Sequence, residues 1–138
     1  MGIGSMEMKL KSLVKKESVE VLKECIELQN KKSQDYQSEQ SNVTQAMHYR
    51  RGVDSIHDII QGKCYRAQSL LESGNNCSPN FESLEDTYKD IINYCSFAVS
   101  YMRGKMDGQN PNHDMFNKPI VSTDGSLSGV KGRKYVGY

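Results

Sequence analysis

The sequence predicts an all-α fold: a small helical bundle with an irregular or β-hairpin C-terminal extension. Two observations carry this. Three long segments repeat apolar residues at three- and four-residue steps, the period of one helix face. The joints between them are polar, and three long helices so joined leave no strands for a sheet-centred fold.

The first helix is expected from about Glu7 or Ser12 to Lys32, with Val14, Val21, Leu22, Cys25 and Leu28 on one face. The second runs from about Arg51 to Glu72. Val53, Ile56, Ile60, Cys64, Ala67 and Leu71 form its stripe, widened by Ile59 and Leu70. The third runs from near Phe81 to Arg103, on a stripe of Leu84, Tyr88, Ile91, Ile92, Cys95, Ala98, Val99 and Met102. Ser83 reads as its N-cap, with Glu85 and Asp86 in a first turn that suits acids.

The joints follow from composition. The stretch after Lys32 is polar and predicts an irregular connection, with a short helical piece at Thr44–Arg50. The run Ser73-Gly74-Asn75-Asn76-Cys77-Ser78-Pro79-Asn80 predicts a loop. Beyond Arg103 the helical period stops and Gly and Pro become frequent. Asp124-Gly125, between short apolar runs, signals a hairpin. The domains therefore read as a cloning remnant at 1–5, a helical domain at 6–103 and a Gly-rich extension at 104–138.

The chain has 138 residues, with 18 Lys plus Arg against 17 Asp plus Glu. A net charge of +1 argues against generic nucleic-acid binding, which needs a basic field. Mean hydropathy is −0.69, and the apolar runs are too short for a membrane span of about 20 residues. The start lacks the apolar segment of a secretory signal. Cys25, Cys64 and Cys95 fall on apolar stripes and read as buried thiols, whereas Cys77 falls in a loop. Their irregular spacing fits no disulfide or metal framework, so a reducing, cytoplasmic setting is expected. Zinc, haem and dinucleotide cofactors are not expected. No Cys/His ligand spacing occurs, and the Gly129–Lys134 run is no P-loop.

The third helix carries the chemistry. Roughly opposite its main stripe lies a ridge of Asp86, Asp90, Asn93 or Tyr94, Phe97 and Tyr101. Aromatics on such a ridge call for cover: a flat ligand stacked on them, another helix, or a second subunit. On the second helix, Lys63 lies within the apolar face and Arg66 at its edge. Each needs a carboxylate, a ligand phosphate or a route to solvent. Glu24 and Glu27, one turn apart on the first helix, could join Asp86 and Asp90 around Mg²⁺, or form a solvated face.

In order along the chain come Lys31-Lys32-Ser33-Gln34-Asp35-Tyr36, then Lys63 with Arg66, then Glu85-Asp86-Thr87-Tyr88-Lys89-Asp90-Ile91-Ile92-Asn93-Tyr94. This order resembles the nucleotide modification associated domain, type 1, a small helical family of bacteria and phages. The resemblance spans roughly Val19 to Met102. Gln37 stands where the family pattern has Gly. A more distant similarity, in the helical carboxylates, is to MazG-type nucleotide pyrophosphohydrolases, which hold Mg²⁺ between acids of two helices.

The resemblance implies a nucleotide-handling protein of a bacterial or phage-infected cell. Asp35, Tyr36, Lys63, Arg66, Asn93 and Tyr94 would bind the nucleotide. As an enzyme, it would hydrolyse a nucleoside triphosphate to the monophosphate and pyrophosphate. Asp86 and Asp90 would be catalytic, and Mg²⁺ would sit on Glu24, Glu27, Asp86 and Asp90. The alternatives are a non-catalytic nucleotide sensor or sequestering protein, and an oligomeric interaction module built on the Phe97/Tyr101 ridge. A homo-oligomer is expected in each case.

Overall fold

A computed structural model describes residues 16–36, 40–73 and 78–121, and the side chains of all of these except 34–36 and 78–81. The described residues form three helices: α1 (Glu17–Tyr36), α2 (Val53–Glu72) and α3 (Ser78–Met102). A 3-10 turn, Gln45–His48, lies between α1 and α2. The chain is mainly helical, as its periodicity predicts. Among the described residues, no helix is long and apolar enough to cross a membrane.

The helix ends differ from expectation in three places. α1 continues one turn beyond Lys32, to Tyr36. A polar sequence extends a helix when its side chains find partners. Here Ser33 Oγ donates back to the Asn30 carbonyl at 2.8 Å, and Lys32 pairs with Asp90 of α3. α3 begins at Ser78, within the segment read as a loop. Pro79 follows as its second residue, where a missing N–H costs nothing. Ser83 is therefore interior to the helix, and its carbonyl accepts the Thr87 hydroxyl at 2.7 Å. α1 itself begins at Glu17, with Lys16 before it not helical, so the predicted start at Glu7 or Ser12 is too early for this helix. The stripe residue Val14 lies outside the described residues. So do Cys77 and the Asp124-Gly125 hairpin signal.

α2 and α3 form the main helix pair, joined by a short connection and so antiparallel. Ile56 is fully buried and Tyr101 is 1% exposed. With Ala46, Tyr49 and Met106 they form the core, onto which Val53, Ile59, Ile60, Tyr94, Phe97 and Ala98 pack. Burial of one large apolar side chain stabilises the fold by about 2 kcal/mol, so this small core is decisive. α1 packs on α3 through Cys25, the one fully buried residue of its described length.

The stretch after α3 closes the open end of the pair. The Ala46 N–H donates to the Asp107 carbonyl at 3.0 Å, and the Val53 N–H to the Met115 carbonyl at 2.8 Å. Gln109 Nε2 donates to the Tyr101 carbonyl, and Asn117 Nδ2 to the Arg50 carbonyl, each at 2.8 Å. Between them the chain turns on Asp114, whose side chain accepts the Phe116 and Lys118 N–H groups. One antiparallel bridge, His113 to Pro119, closes that turn. Residues 104–120 are thus irregular but tied to the helix pair by these hydrogen bonds and by the buried Met106.

The faces of the helices depart most from the sequence reading. Cys64, Cys95, Tyr88 and Val99, all on predicted core stripes, are exposed. The side of α3 that enters the core is the ridge of Tyr94, Phe97 and Tyr101, with Ala98 of the predicted stripe beside it. Tyr101 is spent within the chain, whereas Tyr94 and Phe97 are half-buried.

Candidate functional site

The site grows from the face of α1 that carries Cys25. One and two turns on, Gln29 and Lys32 share that face. Opposite them α3 presents Asp90, Asn93, Tyr94 and Phe97. Together with Asn30, Ser33 and Gln45 these residues line a cleft of about 120 Å³. That is near the roughly 150 Å³ cavity known to admit a benzene ring.

The acid at its centre is Asp90, which takes Lys63 Nζ at 3.1 Å on Oδ2 and Lys32 Nζ at 3.4 Å on Oδ1. One carboxylate therefore holds two ammonium groups from two other helices, leaving one positive charge in excess. The Lys63 head also lies 5.6 Å from the centre of the Tyr94 ring, within cation–π range. Tyr94 in turn meets Phe97 edge to face, at 5.4 Å between ring centres. Lys63 and Asp90 expose about a quarter of their side chains, 28% and 26%. The Lys63 stem is buried and its head stays near water.

The polar floor is Gln29 against Asn93, which is 6% exposed. Gln29 Nε2 donates to Asn93 Oδ1 at 3.0 Å and to Ser96 Oγ at 2.8 Å. The Ser96 hydroxyl donates to the Asn93 carbonyl at 2.7 Å. This network uses neither Asn93 Nδ2 nor Gln29 Oε1, a donor and an acceptor on two cleft-lining residues.

Below the cleft, Lys89 bridges Glu24 and Glu85, both at 3.2 Å. The hydrogen bonds that Lys89 donates to Glu24 and then to Glu85 raise its pKa above the usual lysine value. Beside it, Cys25 Sγ lies 3.9 Å from the Lys89 carbonyl, and burial pushes its thiol pKa up. Cys25 is thus a packed, protonated thiol.

The structure unites some of the predicted residues and separates others. Asp90, Asn93 and Tyr94 line the cleft, and Lys63 adjoins it through Asp90 and the Tyr94 ring. Arg66 is exposed and does not line it. Asp35 and Tyr36 lie in the last turn of α1, and their side chains are outside the description. Glu24 turns to Lys89, while Glu27 and Asp86 are exposed. Among the described residues, no three His, Cys, Asp or Glu side chains gather closely enough to hold a metal ion. Glu24, Glu27, Asp86 and Asp90 therefore do not form one ligand set. Glu24 and Asp90 are both engaged by lysines instead.

Sequence reasoning gave no role to Gln29, Ser33 or Gln45, and quoted Lys32 only within a motif. The available signal was the spacing of Gln29 and Lys32 at four and seven residues from Cys25.

A family model described as Nucleotide modification associated domain 1 matches residues 32–102, just over half of the chain. The chain belongs to the nucleotide modification associated domain 1 family. No curated protein and no solved structure matches it. The similarity to MazG-type enzymes thus rests on the carboxylate pattern alone. The part matching nucleotide modification associated domain 1 includes Lys32, Lys63, Asp90, Asn93, Tyr94 and Phe97, whereas Gln29 and Asn30 precede it.

Proposed function

We propose that the protein binds a nucleotide without turning it over, with the base in the cleft between α1 and α3 and the phosphate at Lys32 and Lys63. The observation that carries this reading is the Asp90 centre. It poises two ammonium groups beside a ring-sized cleft walled by Tyr94 and Phe97. Aromatic faces suit any base, and a lysine is a point charge suited to phosphate. Asn93 Nδ2 and Gln29 Oε1 supply the donor and acceptor for a base edge. The cleft takes a ring and not a whole nucleotide, so sugar and phosphate would extend toward solvent. The nucleotide link in the family's description supports the ligand class. In this reading Asp90 orients the lysines in place of a metal.

The rival reading is Mg²⁺-dependent hydrolysis of a nucleoside triphosphate to monophosphate and pyrophosphate. It rests on Asp86 and Asp90, one turn apart on α3. A thermal-shift panel of nucleoside mono-, di- and triphosphates and cyclic nucleotides, with and without Mg²⁺, separates the two. A ligand of the native state raises its Tm by mass action. The binder reading expects a shift independent of Mg²⁺ and no pyrophosphate. Pyrophosphate release lost in Asp86→Asn would establish the hydrolase. No shift from any nucleotide would defeat both.

A further inference from the structure

α3 is apolar over more of its circumference than one neighbour covers. From Tyr101 through Ala98, Ile91 and Cys95 to Ile92 its apolar arc spans about 180°, against the roughly 100° stripe that faces a single core. Only the part near Tyr94, Ala98 and Tyr101 enters the core. α2 shows the same excess: Ile56 and Ala67 are buried, yet Cys64 is exposed and Leu71 is 56% exposed.

The two excesses lie on one side. Lys63 and Asp90 mark the side of the α2–α3 pair that faces α1. In an antiparallel pair of right-handed helices, Ile60, Cys64 and Leu71 of α2 then turn the opposite way, as do Leu84, Ile91 and Cys95 of α3. Tyr88 and Val99, 46% and 43% exposed, extend this surface along α3. It carries no charged side chain until its ends.

We propose that this outer face of α2 and α3 packs against the same face of a second copy of this chain, with the two α3 helices antiparallel. The charges select that occupant. Glu85 near one end of α3 and Arg103 just past the other are both exposed and lie on the same edge of the helix. In an antiparallel pair like edges meet, so each Glu85 faces the other copy's Arg103. A lipid surface would instead call for basic residues along the whole flank. The size also fits. Two helices of about 30 Å or more, side by side at about 10 Å each, give roughly 1,300 Å² in total, above the roughly 1,000 Å² a stable interface needs.

Light scattering on the full chain across the micromolar range tests this. The expected mass is twice the 15.6 kDa of the chain. Val99→Glu should give a monomer with unchanged far-UV circular dichroism. Glu85→Arg and Arg103→Glu should each weaken the dimer roughly fivefold or more, the scale of the two symmetry-related rim ion pairs that each variant removes, and the double variant should restore it. Alkylation of Cys64 and Cys95 should slow as wild-type concentration rises. A wild-type monomer overturns the proposal, whether the face is covered by the chain's own termini or binds vesicles in a flotation assay. A dimer indifferent to Val99→Glu and to both charge reversals overturns it as well.

Discussion

Lys63 of α2 and Asp90 of α3 meet at 3.1 Å, 27 residues apart in sequence, and Lys32 of α1 reaches the same carboxylate. Asp90 is therefore the point where all three helices are tied by charge. Exposed pairs contribute about 0–1 kcal/mol, whereas breaking a fully buried pair costs about 3–5. At a quarter exposure, Asp90→Asn should cost about 1 kcal/mol, or roughly 3 °C in Tm. Lys63→Met in the Asp90→Asn background should recover part of it, because the orphaned ammonium is gone. A thermal double-mutant cycle checks this, and additive losses would show that the pair is not coupled.

Tyr94 separates a stacking wall from a packing residue. Tyr94→Ala should lower the affinity for a bound nucleotide about tenfold or more, the cost of one lost base–aromatic stack. Tyr94→Phe keeps the ring and should bind close to wild type. Calorimetric titration of both variants is the measurement, and equal affinity in Tyr94→Ala would place the base elsewhere.

Gly52 opens α2 at a φ of 58°, where a side chain is strained. A Cβ there would also collide with the Met115 carbonyl and come 2.7 Å from the Tyr101 ring. Gly52→Ala should therefore cost more than about 2 kcal/mol and loosen the turn after α3 from the core. Urea unfolding measures the loss. Gly62, whose Cβ would meet nothing, is the matched control. Gly62→Ala should be neutral or stabilising by up to about 1 kcal/mol.

Alkaline pH should weaken the α1–α3 contact through two groups. The pKa of Lys89 is raised by Glu24 and Glu85, so its contribution is complete below the ordinary lysine value of about 10.4. It is lost as pH rises through the higher folded value. The Cys25 pKa is raised by burial. The unfolded thiol therefore ionises first, and stability falls once pH passes the ordinary thiol value of about 8.5. Cys25→Ala should flatten the fall of Tm between about pH 8.5 and 10, and Lys89→Met the fall above that. A Tm–pH series in which neither variant differs from wild type in slope would refute both assignments.

The three helices of the described residues, both ends of α2 and the end of α3 were legible in the sequence, because apolar spacing and turn-forming clusters are local signals. α2 falls within two residues of its predicted span. The last turn of α1 and the first of α3 were hidden, since polar residues look the same in a loop and in a helix end held by a partner. The site was half legible. Lys63, Asp90, Asn93 and Tyr94 stood out as charged and polar residues among apolar neighbours. Gln29 had no such mark, because its importance comes from Asn93 and Ser96, 64 and 67 residues away.

By itself the sequence determined that α2 and α3 are apolar around much of their circumference, and that Lys63 and Arg66 needed a partner or a route to solvent. Only the tertiary structure decided which arc of each helix turns inward. It buries Tyr101, packs the half-buried Tyr94 and Phe97 against the core, and leaves Tyr88, Cys95 and Val99 outside. Periodicity records where apolar side chains stand around one helix axis. Which neighbour covers them depends on loop length, handedness and the ion pairs that lock the helices together, and those are properties of the whole chain.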